Sequence, residues 1–176
     1  MTQEIITPSA KLEFSHLITS VPLDSEYNAG KFASLIWIEK TSDFRAKLEV
    51  LFEEAKREKW GDKIPAKVAL PKIIDGDESS YTNEEGELVY PNRNMFGFRV
   101  GSKRKPVVVD SHGEPIVNEE LLGYTLRGQV KINAYGWEFG KTRKGVSIGL
   151  GAVMLTDLGV TSSGGGIEGF EFQESA

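Results

Sequence analysis

The chain has 176 residues, 39% hydrophobic and 27% charged, which suits one domain with a sizeable core. It has no cysteine, which excludes disulfides, thiol nucleophiles and thiolate metal sites, and no apolar run approaches the roughly eighteen residues that cross a bilayer. The net charge of −5 is unevenly spread: residues 1–92 carry 11 Lys and Arg against 17 Asp and Glu, residues 93–144 carry 10 against 5, and residues 145–176 carry 0 against 4.

The N-terminus shows no basic region followed by an apolar stretch, so no signal peptide and a cytoplasmic location are expected. Residues 11–19 alternate, with Leu12, Phe14, His16 and Ile18 on one side, and predict a half-buried strand. Residues 31–39 are denser in apolar residues, and Phe32, Ala33, Leu35, Ile36, Trp37 and Ile38 predict a strand covered on both faces. Between them Pro22, Asp24, Asn28 and Gly30 mark a loop. The period then changes. Phe44, Leu48, Leu51, Phe52 and Ala55 form one stripe of an amphipathic helix over about 42–59, capped by Thr41 or Ser42 and ended at Trp60-Gly61. Arg45–Glu49 and Glu53–Arg57 have the spacing of helical ion pairs. Residues 62–92 are loop-rich. Strands are predicted at 94–100, 105–110, 124–135 and 145–155, with a short helical turn at 118–122. From Ser162 the chain reads as a flexible, Gly-rich, acidic tail, so residues 1–161 are expected to form the domain and 162–176 the tail. Several strands, one helix and long loops predict a mainly β protein, a small antiparallel barrel with a helix plugging or flanking it.

Residues 124–137 are the most informative. The even positions, Tyr124, Leu126, Gly128, Val130, Ile132 and Ala134, read as core. The odd positions, Thr125, Arg127, Gln129, Lys131, Asn133, Tyr135 and Trp137, are polar, basic and aromatic. Alternate side chains of a strand face opposite ways, so one face closes a barrel and the other displays cations, amides and rings. Single-stranded nucleic acid uses that combination, because cations neutralise phosphates and exposed rings stack on unpaired bases. The same pattern describes a solvated outer face with two aromatics tucked under a loop. In the next strand Val146, Ile148, Leu150, Ala152 and Met154 form the expected core face. Gly145, Ser147, Gly149 and Gly151 form a face of almost no volume, which either admits a ligand backbone or permits barrel curvature.

Two basic turns flank this row. Residues 140–145 contribute Lys141, Arg143 and Lys144; residues 102–105 contribute Lys103, Arg104 and Lys105, close to Arg99. Catalysis finds little support. His16 and His112 lie in unrelated contexts, and Asp75-Gly76-Asp77-Glu78 lacks the register of a calcium loop. No catalytic residue, metal or cofactor is expected.

The blocks Lys59-Trp60-Gly61-Asp62-Lys63-Ile64-Pro65, Ile74-Asp75-Gly76-Asp77-Glu78, Gly101-Ser102-Lys103-Arg104-Lys105-Pro106-Val107-Val108-Val109-Asp110, Val130-Lys131-Ile132-Asn133-Ala134-Tyr135 and Lys144-Gly145-Val146-Ser147-Ile148-Gly149-Leu150 resemble, in order, a family of bacteriophage single-stranded DNA-binding proteins. The resemblance implies a five-stranded OB-fold barrel that binds single-stranded DNA with little sequence preference in phage replication, recombination or repair, in the host cytoplasm and without enzymatic activity. It also implies an acidic–aromatic tail, here Glu168, Phe170, Glu171, Phe172 and Glu174, that contacts a DNA polymerase, helicase or recombinase. The DNA-contacting residues expected are Arg99, Lys103, Arg104, Lys105, Arg127, Lys131, Asn133, Tyr135, Trp137, Lys141, Arg143 and Lys144. The alternative is a structural or adaptor β-barrel of a phage particle that binds no nucleic acid.

Overall fold

The computed structural model describes residues 4–26 and 29–159; the acidic tail lies outside them. In chain order the elements are β1 (Ile5–Ile6), β2 (Ala10–His16), β3 (Phe32–Glu39), α1 (Phe44–Trp60), β4 (Ile74–Asp75), β5 (Tyr81–Thr82), β6 (Leu88–Val89), β7 (Met95–Ser102), β8 (Val107–Asp110), a 3-10 turn (Glu119–Leu121), β9 (Thr125–Phe139) and β10 (Arg143–Asp157).

Strands β2, β3, β7, β10 and β9 pair in that order, and β9 pairs again with β2, closing a ring. This is the connectivity of an OB-fold barrel. The expected all-antiparallel pairing does not hold throughout, for a topological reason. Five strands in a closed ring cannot all alternate in direction, and the exception is the parallel contact of β10 with β7 at Gly149 and Gly101. Beyond that point β8 takes over the same edge of β10, also parallel. Residues 107–110 are therefore an edge extension and not a barrel strand.

The ring encloses the core. Leu12, Ile36, Phe98, Leu126, Val130 and Ile132 are fully buried, and each such side chain withdraws enough apolar surface to stabilise the fold by roughly 1.5–3 kcal/mol. Helix α1 lays its predicted stripe of Phe44, Leu48, Leu51, Phe52 and Ala55 against this core. Gly61 ends it at φ 59, donating its N–H to the Arg57 carbonyl at 2.8 Å. The N-cap is Asp43, and Ser42 Oγ accepts from the Phe44 N–H at 3.4 Å. Arg45 and Glu49 pair as expected at 3.9 Å, whereas Glu53 takes Lys56 at 2.9 Å in place of Arg57. No helix of the described residues is long and apolar enough to cross a membrane.

Three expectations from alternation fail, each at a break in pairing. Phe14 adopts φ 50 at an irregularity between β2 and β3, which turns it out to 72% exposure while Leu17 fills the core. Tyr124 precedes the first residue of β9 and is 78% exposed, not core. In β10, Leu150 faces Ile132 and Ala152 faces Lys131, which leaves Gly151 as an extra, bulged residue. The bulge reverses the alternation, so Val153 and Leu155 are buried where Ala152 and Met154 were expected.

The acidic stretch at residues 75–78 has a structural task. Lys40 donates to Asp75 at 2.6 Å and to Asp77 at 2.7 Å, clipping the end of β3 to β4. The Lys40 ammonium, helped by the Asp77 and Asn94 backbone N–H groups, holds both carboxyls below the usual aspartate value, and the two carboxylates raise that of Lys40.

Candidate nucleic-acid interface

β9 and β10 form a hairpin longer than expected, running from Phe139 and Arg143 at its tip to Arg127 and Asp157. Only residues 140–142 form the turn, with Gly140 at φ 66. Arg143 and Lys144 are therefore strand residues. The outward row of β9 contains Tyr135 and Trp137 as predicted and continues to Phe139, which is 70% exposed. The same alternation, carried two residues further, would have found Phe139.

The glycines of β10 have a definite role. A Cβ on Gly145 would lie 2.4 Å from the Trp137 ring, and one on Gly149 would lie 2.0 Å from Asn133 Oδ1. The smooth face of β10 thus receives side chains of β9. It fixes Trp137 and Asn133 across the hairpin and leaves Tyr135 46% exposed between them.

A groove of about 1330 Å³ crosses this surface. Its floor and one wall come from β9 and β10, including Asn133, Tyr135, Trp137, Phe139 and Ser147. The other wall is basic, formed by Arg99 of β7 and by Lys103, Arg104 and Lys105 in the turn after it. Seven of the expected residues therefore meet in one groove. Two cations not expected join them. Lys31 arrives because Phe32 pairs with Ser102. Lys72 arrives because Ala69 hydrogen-bonds to the free edge of β10 at Lys144 and Val146. Both come from remote parts of the chain, and no local pattern marks them.

Among the described residues none of these six cations has a carboxylate within salt-bridge distance. Their mutual repulsion makes the groove a focus of positive potential, which a polyanion relieves. Two acids also line it, Glu4 and Glu138, and Glu138 accepts the Trp60 indole N–H at 2.6 Å. Five expected residues lie outside the groove. Arg127 and Lys131 sit further along the outward row of β9, and Lys141, Arg143 and Lys144 sit at the hairpin tip, where Arg143 lies 5.8 Å from the centre of the Phe139 ring. The tail residues Glu168, Phe170, Glu171, Phe172 and Glu174 lie outside the described residues.

The histidines stay apart from this surface: His16 pairs in register with Ala33, and the His112 N–H donates to Asp110 in an exposed turn. No cluster of three or more metal-ligating side chains occurs among the described residues.

No curated protein sequence matches the chain. Its fold is similar to that of the single-stranded DNA-binding protein from bacteriophage Enc34 in complex with ssDNA, at 16% identity over 90% of this chain and 89% of that one, with a TM-score of 0.65. The C-terminal truncation of that phage protein is similar at 19% identity over 90% and 88%, TM-score 0.63. The crystal structure of gp2.5, a single-stranded DNA-binding protein encoded by bacteriophage T7, is similar at 13% identity over 99% and 97%, TM-score 0.63. At these identities the likeness carries the fold. Residues 3–175 match the family described as "Enterobacter phage Enc34, ssDNA-binding protein", and the chain belongs to that family.

Proposed function

We propose that this protein coats single-stranded DNA through the groove, in phage DNA replication, recombination or repair in the host cytoplasm, without catalysing a reaction. The observation that carries the reading is the pairing of one unpartnered cationic wall with one row of exposed rings in the same groove. Phosphates bind along Arg99, Lys103, Arg104 and Lys105, with Lys31 and Lys72 extending the track. Bases turn to the opposite side and stack on Tyr135 and Phe139, with Trp137 as the fixed platform between them. Each stack contributes about 1–3 kcal/mol per base and is indifferent to base identity, which gives little sequence preference. A duplex hides its base faces, so the rings discriminate for single strands. The domain over residues 1–161 carries this surface, and the tail over 162–176 is the partner-binding segment for a polymerase, helicase or recombinase.

The test is a titration of labelled oligo-dT and of a duplex of equal length at several salt concentrations. Tighter binding to oligo-dT is expected, with log K falling by about 0.7 per neutralised phosphate for each decade of salt. Equal affinity for the two, or no salt dependence, overturns the reading in favour of a particle protein that binds no nucleic acid.

A further inference from the structure

We propose that Phe14 and Tyr124 form a second base-stacking station, reached from the groove along the outward row of β9 over Lys131 and Arg127. The inference rests on the single-strand reading of the groove and extends it to a surface outside the groove.

Phe14 carries the first observation. Its φ of 50 is a conformation that L side chains rarely adopt, and its effect is to turn a large ring out of the barrel to 72% exposure. Backbone strain that places an apolar ring in water opposes folding, so it points to a use for the ring. Tyr124 carries the second. It stands one residue beyond the last register pair of β2 and β9, Glu13 with Thr125, at the end where Phe14 leaves the ladder, and it is 78% exposed. The two exposed rings therefore share one end of the barrel.

The row between them and the groove is the third observation. Arg127 and Lys131 are exposed and face the same side of β9 as Tyr135, yet they lie outside the groove. A strand stacked on Tyr135 and continuing along β9 meets Lys131, then Arg127, then Tyr124. Eleven residues at about 3.4 Å each make this path roughly 37 Å long. Of the acids near this row, Glu13 is 3.6 Å from Lys11, Asp157, opposite Arg127, accepts the Gly159 N–H at 2.9 Å, and the Glu4 carboxylate lies against Gly151 beside Lys131. Rings at the end of a line of cations suit unpaired bases on a phosphate backbone.

The experiment compares oligo-dT of about 6 and about 20 nucleotides, which bracket the span of one such barrel, on the wild type, F14A/Y124A and the ring-keeping pair F14Y/Y124F. F14A/Y124A is expected to lose about five-fold or more in affinity per ring for the long oligomer and to keep wild-type affinity for the short one. F14Y/Y124F is expected to keep both. Unchanged binding of the long oligomer by F14A/Y124A overturns the proposal, as does a loss that F14Y/Y124F shares. An equal loss for both lengths, or loss of a self-associated species without loss of DNA binding, also overturns it and assigns the rings to folding or to a protein partner. Failure of the wild type to bind either oligomer is a different outcome, and it removes the single-strand reading itself.

Discussion

Trp137 and Gly145 face each other across the β9–β10 hairpin so closely that a single added carbon at Gly145 would lie 2.4 Å from the indole. The Ala69 carbonyl stands 3.0 Å from the same point, so the backbone blocks a retreat. The substitution G145A must therefore displace Trp137. It is expected to destabilise the protein by about 1–3 kcal/mol, the usual cost of overpacking, and to weaken oligo-dT binding. Chemical denaturation and a fluorescence titration check the two effects.

The rings of the groove differ in exposure, and that orders their substitutions. Tyr135 and Phe139 are 46% and 70% exposed, so Y135A and F139A should each cost about 1–3 kcal/mol of binding with little change in Tm. W137A should lower Tm as well, because it empties the space over Gly145. Thermal unfolding beside titration separates the two classes.

The cationic wall sets the salt dependence. Replacing Lys103, Arg104 and Lys105 together by Gln should make the slope of log K against log salt shallower by about 0.7 for each phosphate that is no longer neutralised. K141Q, at the hairpin tip outside the groove, should leave the slope unchanged. Titrations at several salt concentrations read both.

Lys40, Asp75 and Asp77 link stability to pH at both extremes. The folded state lowers the two aspartates from 3.8, so their contribution is present above that value and is lost as pH falls through the lowered values. It raises Lys40 from 10.5, so that contribution is present below 10.5 and is lost as pH rises through the raised value. The Tm difference between wild type and K40M should be constant between these limits and close outside them. All three side chains are partly exposed, so the difference should be small and should shrink with salt.

Trp60 and Glu138 join the last turn of α1 to β9 through one bond of 2.6 Å. E138Q keeps an acceptor for the indole and removes a negative charge from the groove. Its Tm should stay near wild type while its affinity for oligo-dT rises severalfold. E138A removes the acceptor, so it should lower Tm.

Much of the outward row of β9 was legible from local pattern, because strands and helices write their periods into the chain. Alternation over 126–134 separates Leu126, Val130, Ile132 and Ala134 from Arg127, Lys131 and Asn133, and the burial agrees. The stripe of α1 and its stop at Gly61 follow from helical spacing and a glycine C-cap. The two basic turns and the acidic flanks are a matter of composition.

Only the tertiary structure decided which of these residues meet. Seven of the twelve residues expected to touch DNA share the groove with Lys31 and Lys72, since ring closure joins strands far apart in sequence and the loop at Ala69 pads the free edge of β10. Alternation also fails where pairing breaks. The bulge at Gly151 and the positive φ of Phe14 each reverse which side a residue faces, and no local period records either. The chain thus determines its strands, its helix and the sign of its surfaces by itself, whereas closure of the barrel determines which surfaces become one site.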